Sequence, residues 1–259
     1  MANDFSGDSA LQAHHSFESG ALTTDSSGNS NTLSLVNTPT ASATQYKEGS
    51  YSALIQRSNL EGFYILDSNL SSAFPLKNGD TNKKISSCGW IYFNTLPTGI
   101  VPYISGKWDS TNNKRSLLLL LNTNNYWQFA IGYNGGNSTE SLFLDTSAPT
   151  TGRWYHWAYT LEDNGAGLGC DWKLVVWDDT ASSKVVNTSG TSTNNINIED
   201  GPFVLGHNYI GGFNNVDAYM DENVVFNDIL TTGEIDQIRA GTYSVSGGTT
   251  SPWYYYAQQ

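Results

Sequence analysis

GFNNVDAYMDENVVFNDILTTGEIDQIRAG, from Gly212 to Gly241, is the stretch that decides the fold. It joins a strand bearing Met220-Asp221-Glu222 to a short helix over Glu234 to Arg239. Thr231 and Glu234 stand at capping-box spacing, so the hydroxyl and the carboxylate each satisfy an orphan N–H at the helix start. Ile235 and Ile238 give the helix one apolar face, and Gly241 is placed to end it.

Most of the chain upstream reads as strand. KISSCGWIYFN (Lys84 to Asn94) puts Cys88, Trp90 and Tyr92 on one face and Gly89, Ile91 and Phe93 on the other, as a central strand requires. RSLLLLLN and YWQFAIGYN flank a short turn at Asn124-Asn125, a hairpin signal. Further strands are read at LQAHHSFES, LSLVN, YSALIQ, EGFYILD, YISGKW, SLFLD, RWYHWAYTLED, CDWKLVVWDD and PFVLGHN. The composition agrees: 8 Trp, 15 Tyr and 10 Phe sit among abundant turn residues, and only 14% of residues are charged. A chain of 259 residues is long enough for one large β domain with a full core.

Several of these segments, in this order, resemble the laminin-G-like and concanavalin A-like lectin/glucanase jelly rolls. The "DEV" strand and "N..L...EI..I" of that family are matched by Asp221-Glu222-Asn223, then Asn227, Leu230, Glu234-Ile235 and Ile238. The loop DSSGNSN (Asp25 to Asn31), the pair WYHWAYTLED and WKLVVWD, and the strand PFVLGHN are similar to further family segments. His14 and His15 depart from it, standing where aromatics are more usual. The resemblance covers residues 11–241. It implies an all-β fold: an antiparallel β-sandwich of about a dozen strands with one short C-terminal helix. Residues 1–10 are then expected to be a flexible arm, and 242–259 a linker with an aromatic tail. Trp90, Ile91, Phe93, Leu118, Leu120, Phe129, Trp157, Tyr159, Leu174, Val176, Val204, Val225 and Ile235 are expected in the core.

The formal charge of −12 argues against nucleic acid, which needs clustered Lys and Arg. No apolar run reaches membrane-spanning length. MANDFSGDSALQAHH has neither a basic start nor an apolar core, so no secretory leader is read there. The expected place of action is therefore a virion or another extracellular surface. Two cysteines, Cys88 and Cys170, make no disulfide framework and are expected as buried thiols, with a single disulfide between them as the alternative.

Three sites are nominated. Calcium prefers hard oxygen ligands of mixed origin, and Asp25, Asn29 and Asn31 offer them, although the same residues make an ordinary Asx turn. The resemblance adds Asp221, because relatives often tie the equivalent loop to this acidic strand through a structural Ca2+. Glycan contact is expected from an aromatic with amides and carboxylates at Trp108, Asp109, Asn112, His207 and Tyr209, on loops where turns also call for such residues. The tail residues Trp253, Tyr254, Tyr255 and Tyr256 are expected to anchor a protein partner or dock on their own domain. Catalysis is not expected. Glycoside hydrolysis needs two facing carboxylates, whereas Asp221 and Glu222 are adjacent and should point to opposite faces of a strand. The expected function is non-catalytic: a lectin-like decoration of a larger assembly, such as a phage virion, or a homo-oligomer. The alternative is a free, calcium-dependent carbohydrate-binding module, and a glycoside hydrolase is the third reading.

Overall fold

The computed structural model describes residues 3–209 and 214–245. Among them are β1 (Leu11–His15), β2 (Ser34–Val36), β3 (Thr40–Ser42), β4 (Ser52–Ile55), β5 (Gly62–Ile65), β6 (Lys84–Thr95), β7 (Tyr103–Asp109) and β8 (Lys114–Leu121). They continue with β9 (Trp127–Tyr133), β10 (Ser138–Leu144), β11 (Trp154–Asp163), β12 (Cys170–Asp178), β13 (Ser183–Ser192), β14 (Phe203–Leu205), β15 (Asp217–Phe226) and the helix α1 (Thr232–Arg239). The strands form two antiparallel sheets. One runs β13-β12-β11-β6-β15-β4-β3, with β1 beside β15, and the other runs β10-β9-β8-β7-β14-β5-β2. This is the expected jelly-roll sandwich with a single short helix.

Strand alternation fills the space between the sheets. Ile91, Phe93, Trp157 and Tyr159 from the first sheet meet Leu117, Leu119, Leu121, Phe129 and Phe203 from the second. Trp157 and Tyr159 stack on one another, and Tyr159 stacks on Phe129 at 5.3 Å across the interface. A side chain at Gly89 would stand 2.9 Å from the Trp157 indole, so the glycine makes room for that ring.

All thirteen residues expected in the core are buried; twelve divide among three clusters, and Trp90 lies apart from them, against His156 and Lys47. Leu118, Leu120 and Val204 lie with Tyr103 and Trp108 on the outer face of the second sheet. Ile235 and Ile238 pack α1 on the outer face of the first, against Cys88, Ala158, Val224 and Phe226. Cys88 and Cys170 are both buried and unpaired.

The capping box is formed as expected. Glu234 N–H donates to the Thr231 hydroxyl at 3.2 Å, and Thr231 N–H donates to the Glu234 carboxylate at 2.7 Å. Thr231→Ala should therefore cost about 1 kcal/mol of stability, read by urea unfolding. An unchanged midpoint would mean that the Glu234 carboxylate alone holds the helix start.

Two expectations need correction. Residues 3–10 are not a loose arm. Phe5 is buried against Phe226 and Tyr243, Asp4 N–H donates to Tyr243 C=O at 2.8 Å, and Asp4 and Ser244 form a β-bridge. Phe5 supplies the apolar surface that docks the segment. Asp221 and Glu222 also do not simply alternate. The pairing of β15 with β6 slips between Asp221 and Val224, and Glu222 takes a left-handed φ of 48°. This bulge turns Glu222 toward His14, 2.7 Å away.

Candidate functional site

β7 ends at Asp109 and turns back into β8 at Lys114. The loop takes its shape from Asp109, whose carboxylate accepts the N–H groups of Thr111 and Asn112 and the side-chain amide of Asn112 at 2.7 Å. Beside it, β5 runs into the turn Leu66–Ser68, and residues 200–202 lead into β14. Together these segments enclose a cleft of about 530 Å³ lined by Asp67, Asn78, Asp109, Asn112, Lys114, Asp200 and Tyr209, among others. One wall is aromatic, because the Tyr209 ring packs on Tyr64 with centroids 4.8 Å apart.

Of these lining residues, Asp67 belongs to a buried ion pair. Lys107, from the inward-facing row of β7, is 1% exposed and stands 2.7 Å from Asp67. Its ammonium also donates to the carbonyls of Glu199 and Gly201. Burial pulls the lysine below its usual range, while Asp67 pulls it back up. Asp67 in turn accepts the N–H of Asn78 at 3.1 Å. At the rim Lys114 meets Asp200 at 2.8 Å, and this hydrogen bond holds the Asp200 carboxyl below the ordinary range.

Of the five residues nominated for glycan contact, Asp109, Asn112 and Tyr209 line this cleft. Trp108 does not act as an exposed platform. The β7–β8 pairing slips between Lys107 and Trp108, and the indole is buried with Leu118 and Val204 in the cluster that supports Tyr209. The Arg115 guanidinium covers its ring at 5.9 Å. His207 does not line the cleft either. It is buried, neither ring nitrogen has a hydrogen-bond partner among the described residues, and burial pushes it down to about 4. Asp67, Asn78, Lys114 and Asp200 were missed from the sequence. Their one signal was turn composition: Asp67-Ser68-Asn69, Asn78-Gly79-Asp80 and Asp200-Gly201-Pro202.

The residues nominated for calcium are engaged in hydrogen bonds within the protein, and Asp221 is held apart from the other three. Both Asp25 oxygens are taken by N–H donors, those of His14, Ser27 and Asn31 at 2.8–2.9 Å. Burial raises this carboxyl, but those donors outweigh it and hold it below the usual range. Asn29 and Asn31 donate their side-chain amides to the carbonyls of Leu11 and Gln12. Asp221 is held elsewhere, by the N–H groups of Lys47, Glu48 and Glu222. Three N–H donors thus fill three of the roughly four lone-pair sites of the Asp25 carboxylate. No group of three or more His, Cys, Asp or Glu gathers into a metal site among the described residues. The nominated tail anchor, Trp253 to Tyr256, lies outside the described residues, and no helix among those residues is long and apolar enough to cross a membrane.

Two antiparallel sheets packed face to face, with a polar, part-aromatic cleft at the loop end of one of them, define a lectin-type jelly roll. The chain belongs to the concanavalin A-like lectin/glucanases superfamily, whose laminin G-type family model matches residues 67–236. A search of curated proteins finds no match. Among solved structures, the fold is similar to domain 4 of AbnA, a GH43 extracellular arabinanase from Geobacillus stearothermophilus, in complex with arabinotriose. That likeness has a TM-score of 0.52 and 18% identity, over 88% of this chain and 97% of that one. A PL-14 alginate lyase from Aplysia kurodai matches with a TM-score of 0.53 at 14% identity, over 84% and 97%. A botulinum neurotoxin type C structure, described as showing that cell entry depends upon two ganglioside molecules, matches with a TM-score of 0.56 at 12% identity. The match covers 90% of this chain and 52% of that one. At such identities the likeness establishes the fold, which both binding domains and enzymes share.

Proposed function

We propose that this domain is a non-catalytic carbohydrate-binding module that holds its ligand in the cleft between the β7–β8 turn and Tyr209. The observation that carries the reading is convergence. Asp109, Asn112 and Tyr209, nominated from the sequence for their chemistry, are brought to one concave surface built on a rigid sheet. Tyr209 offers a ring face to a sugar, while Asn112 and the carboxylates offer fixed hydrogen bonds. The carbohydrate-bound and ganglioside-dependent structures of the same fold support it.

Binding is favoured over hydrolysis by the state of the carboxylates. A glycosidase acid needs a raised pKa, but Asp200 is lowered by its hydrogen bond to Lys114. Asp67 is engaged with Lys107, and Asp109 with the backbone of its own loop. Since none of the residues nominated for a cation lines the cleft, ligand affinity should survive chelation of calcium.

Asn112→Ala and Tyr209→Ala should each weaken glycan binding about tenfold while leaving the melting temperature unchanged. Calorimetry against oligosaccharides, with and without a chelator, reads this. Full affinity in both variants would remove the cleft as the binding site.

A further inference from the structure

We infer that the cleft selects uncharged, hydroxyl-rich saccharides and rejects those carrying a carboxylate, such as sialylated or uronate sugars; this rests on the carbohydrate-binding reading above. The argument begins with an inventory of donors and acceptors. Asp67, Asp109 and Asp200 line the cleft as acceptors, and Lys114 is the one cation among the lining residues. Lys107 is buried, and although an ammonium has three protons, all three go to Asp67 and to the carbonyls of Glu199 and Gly201. None is left for a ligand. Lys114 is already shared with Asp200 at 2.8 Å.

The cleft is thus rich in acceptors and short of free positive charge. Sugar hydroxyls are donors as well as acceptors and can satisfy carboxylate oxygens. A ligand carboxylate only accepts; Asp67 and Asp200 are each paired with a lysine, so it would face the uncompensated charge of Asp109 with no lysine free to receive it. The chain as a whole, at a net charge of −12, also steers anions away. Tyr209 adds a stacking face that does not depend on ligand charge.

The test uses the whole chain in saturation-transfer NMR and calorimetry. Neutral probes are arabinotriose, cellotriose, mannotriose and lactose; acidic ones are 3′-sialyllactose and trigalacturonate. The expected result is binding of at least one neutral probe, weakened about tenfold in Asn112→Ala and little changed by salt. The acidic probes should bind about tenfold more weakly or not at all, a gap that Asp200→Asn narrows. Acidic probes bound as tightly as neutral ones, and weakened in Asn112→Ala, would overturn the charge selectivity while leaving the carbohydrate reading in place. Binding of no probe, or binding indifferent to Asn112→Ala, would overturn both.

Discussion

Replacing Lys107 with alanine should destabilise the domain by about 3–5 kcal/mol, the range for removing one member of a buried ion pair. The loss has two sources. Asp67, 7% exposed, would keep its charge without its partner, and the carbonyls of Glu199 and Gly201 would lose their donors. Because Asp67 and residues 200–202 also line the cleft, the same change should abolish ligand binding. The pair itself need not be a net stabiliser. Replacing both members by apolar residues of similar volume, Lys107→Met with Asp67→Leu, should recover the part of the loss due to the unpaired charge, while the Glu199 and Gly201 carbonyls stay without their donor and binding is not restored. Urea unfolding of the two single variants and the double reads the coupling. A Lys107→Ala variant within about 1 kcal/mol of the native protein would mean that the pair is effectively solvated.

The second large effect is acid instability, and it comes from three histidines folded in the neutral state. His15 receives Asn223 at Nδ1 and meets the Asn31 carbonyl at Nε2, 2.9 Å away, an arrangement that uses one proton. Burial pushes it down to about 4. His156, edge-on to Trp90 at 5.0 Å, is pushed to about 3 by burial, with the charges of Arg239 and Lys47 adding. His207 is lowered to about 4 by burial alone. Each folded value lies below the unfolded one of about 6.5, so the unfolded chain takes up protons first as pH falls. The stabilisation is complete above pH 6.5 and is lost between 6.5 and about 4, extending to about 3 for His156. Each histidine forfeits about 1.4 kcal/mol per pH unit, or roughly 3 kcal/mol by pH 4.

Asp221 works in the opposite direction. Burial pushes its carboxyl up to about 8, against the N–H of Lys47 and helped by the charge of Glu222. Its contribution is complete below about 3.8 and lost as pH rises to about 8. Stability should therefore peak near pH 6.5, fall steeply on the acid side, and fall gently on the alkaline side unless Asp221→Asn removes that slope. A melting temperature that stays level from pH 7 down to 4.5 would show that the histidines are charged in the folded state.

The sequence carried the fold because its strongest strands are apolar on at least one face and its helix carries both halves of a capping box. β13 escaped because SKVVNTSGTS has the composition of a loop; at a sheet edge, with Val186 its buried apolar residue, it needs no apolar run. The site was legible where chemistry is local: Asp109 and Asn112 bond to one another three residues apart. It was illegible where a slipped register or a distant partner decides. A bulge buried Trp108, and Lys107 looks like a surface lysine until Asp67, forty residues upstream, is placed beside it. The assembly role expected for the aromatic tail rests on residues outside those described.

The bridge between Asp4 and Ser244 has a consequence for the two faces of this domain. The two ends of the described chain meet against Phe226 and α1, behind the eight-stranded sheet, while the cleft opens on the seven-stranded one. Residues 3–5 and 243–245 thus share one face of the sandwich, and a change at either segment is felt at α1 before it is felt at the cleft.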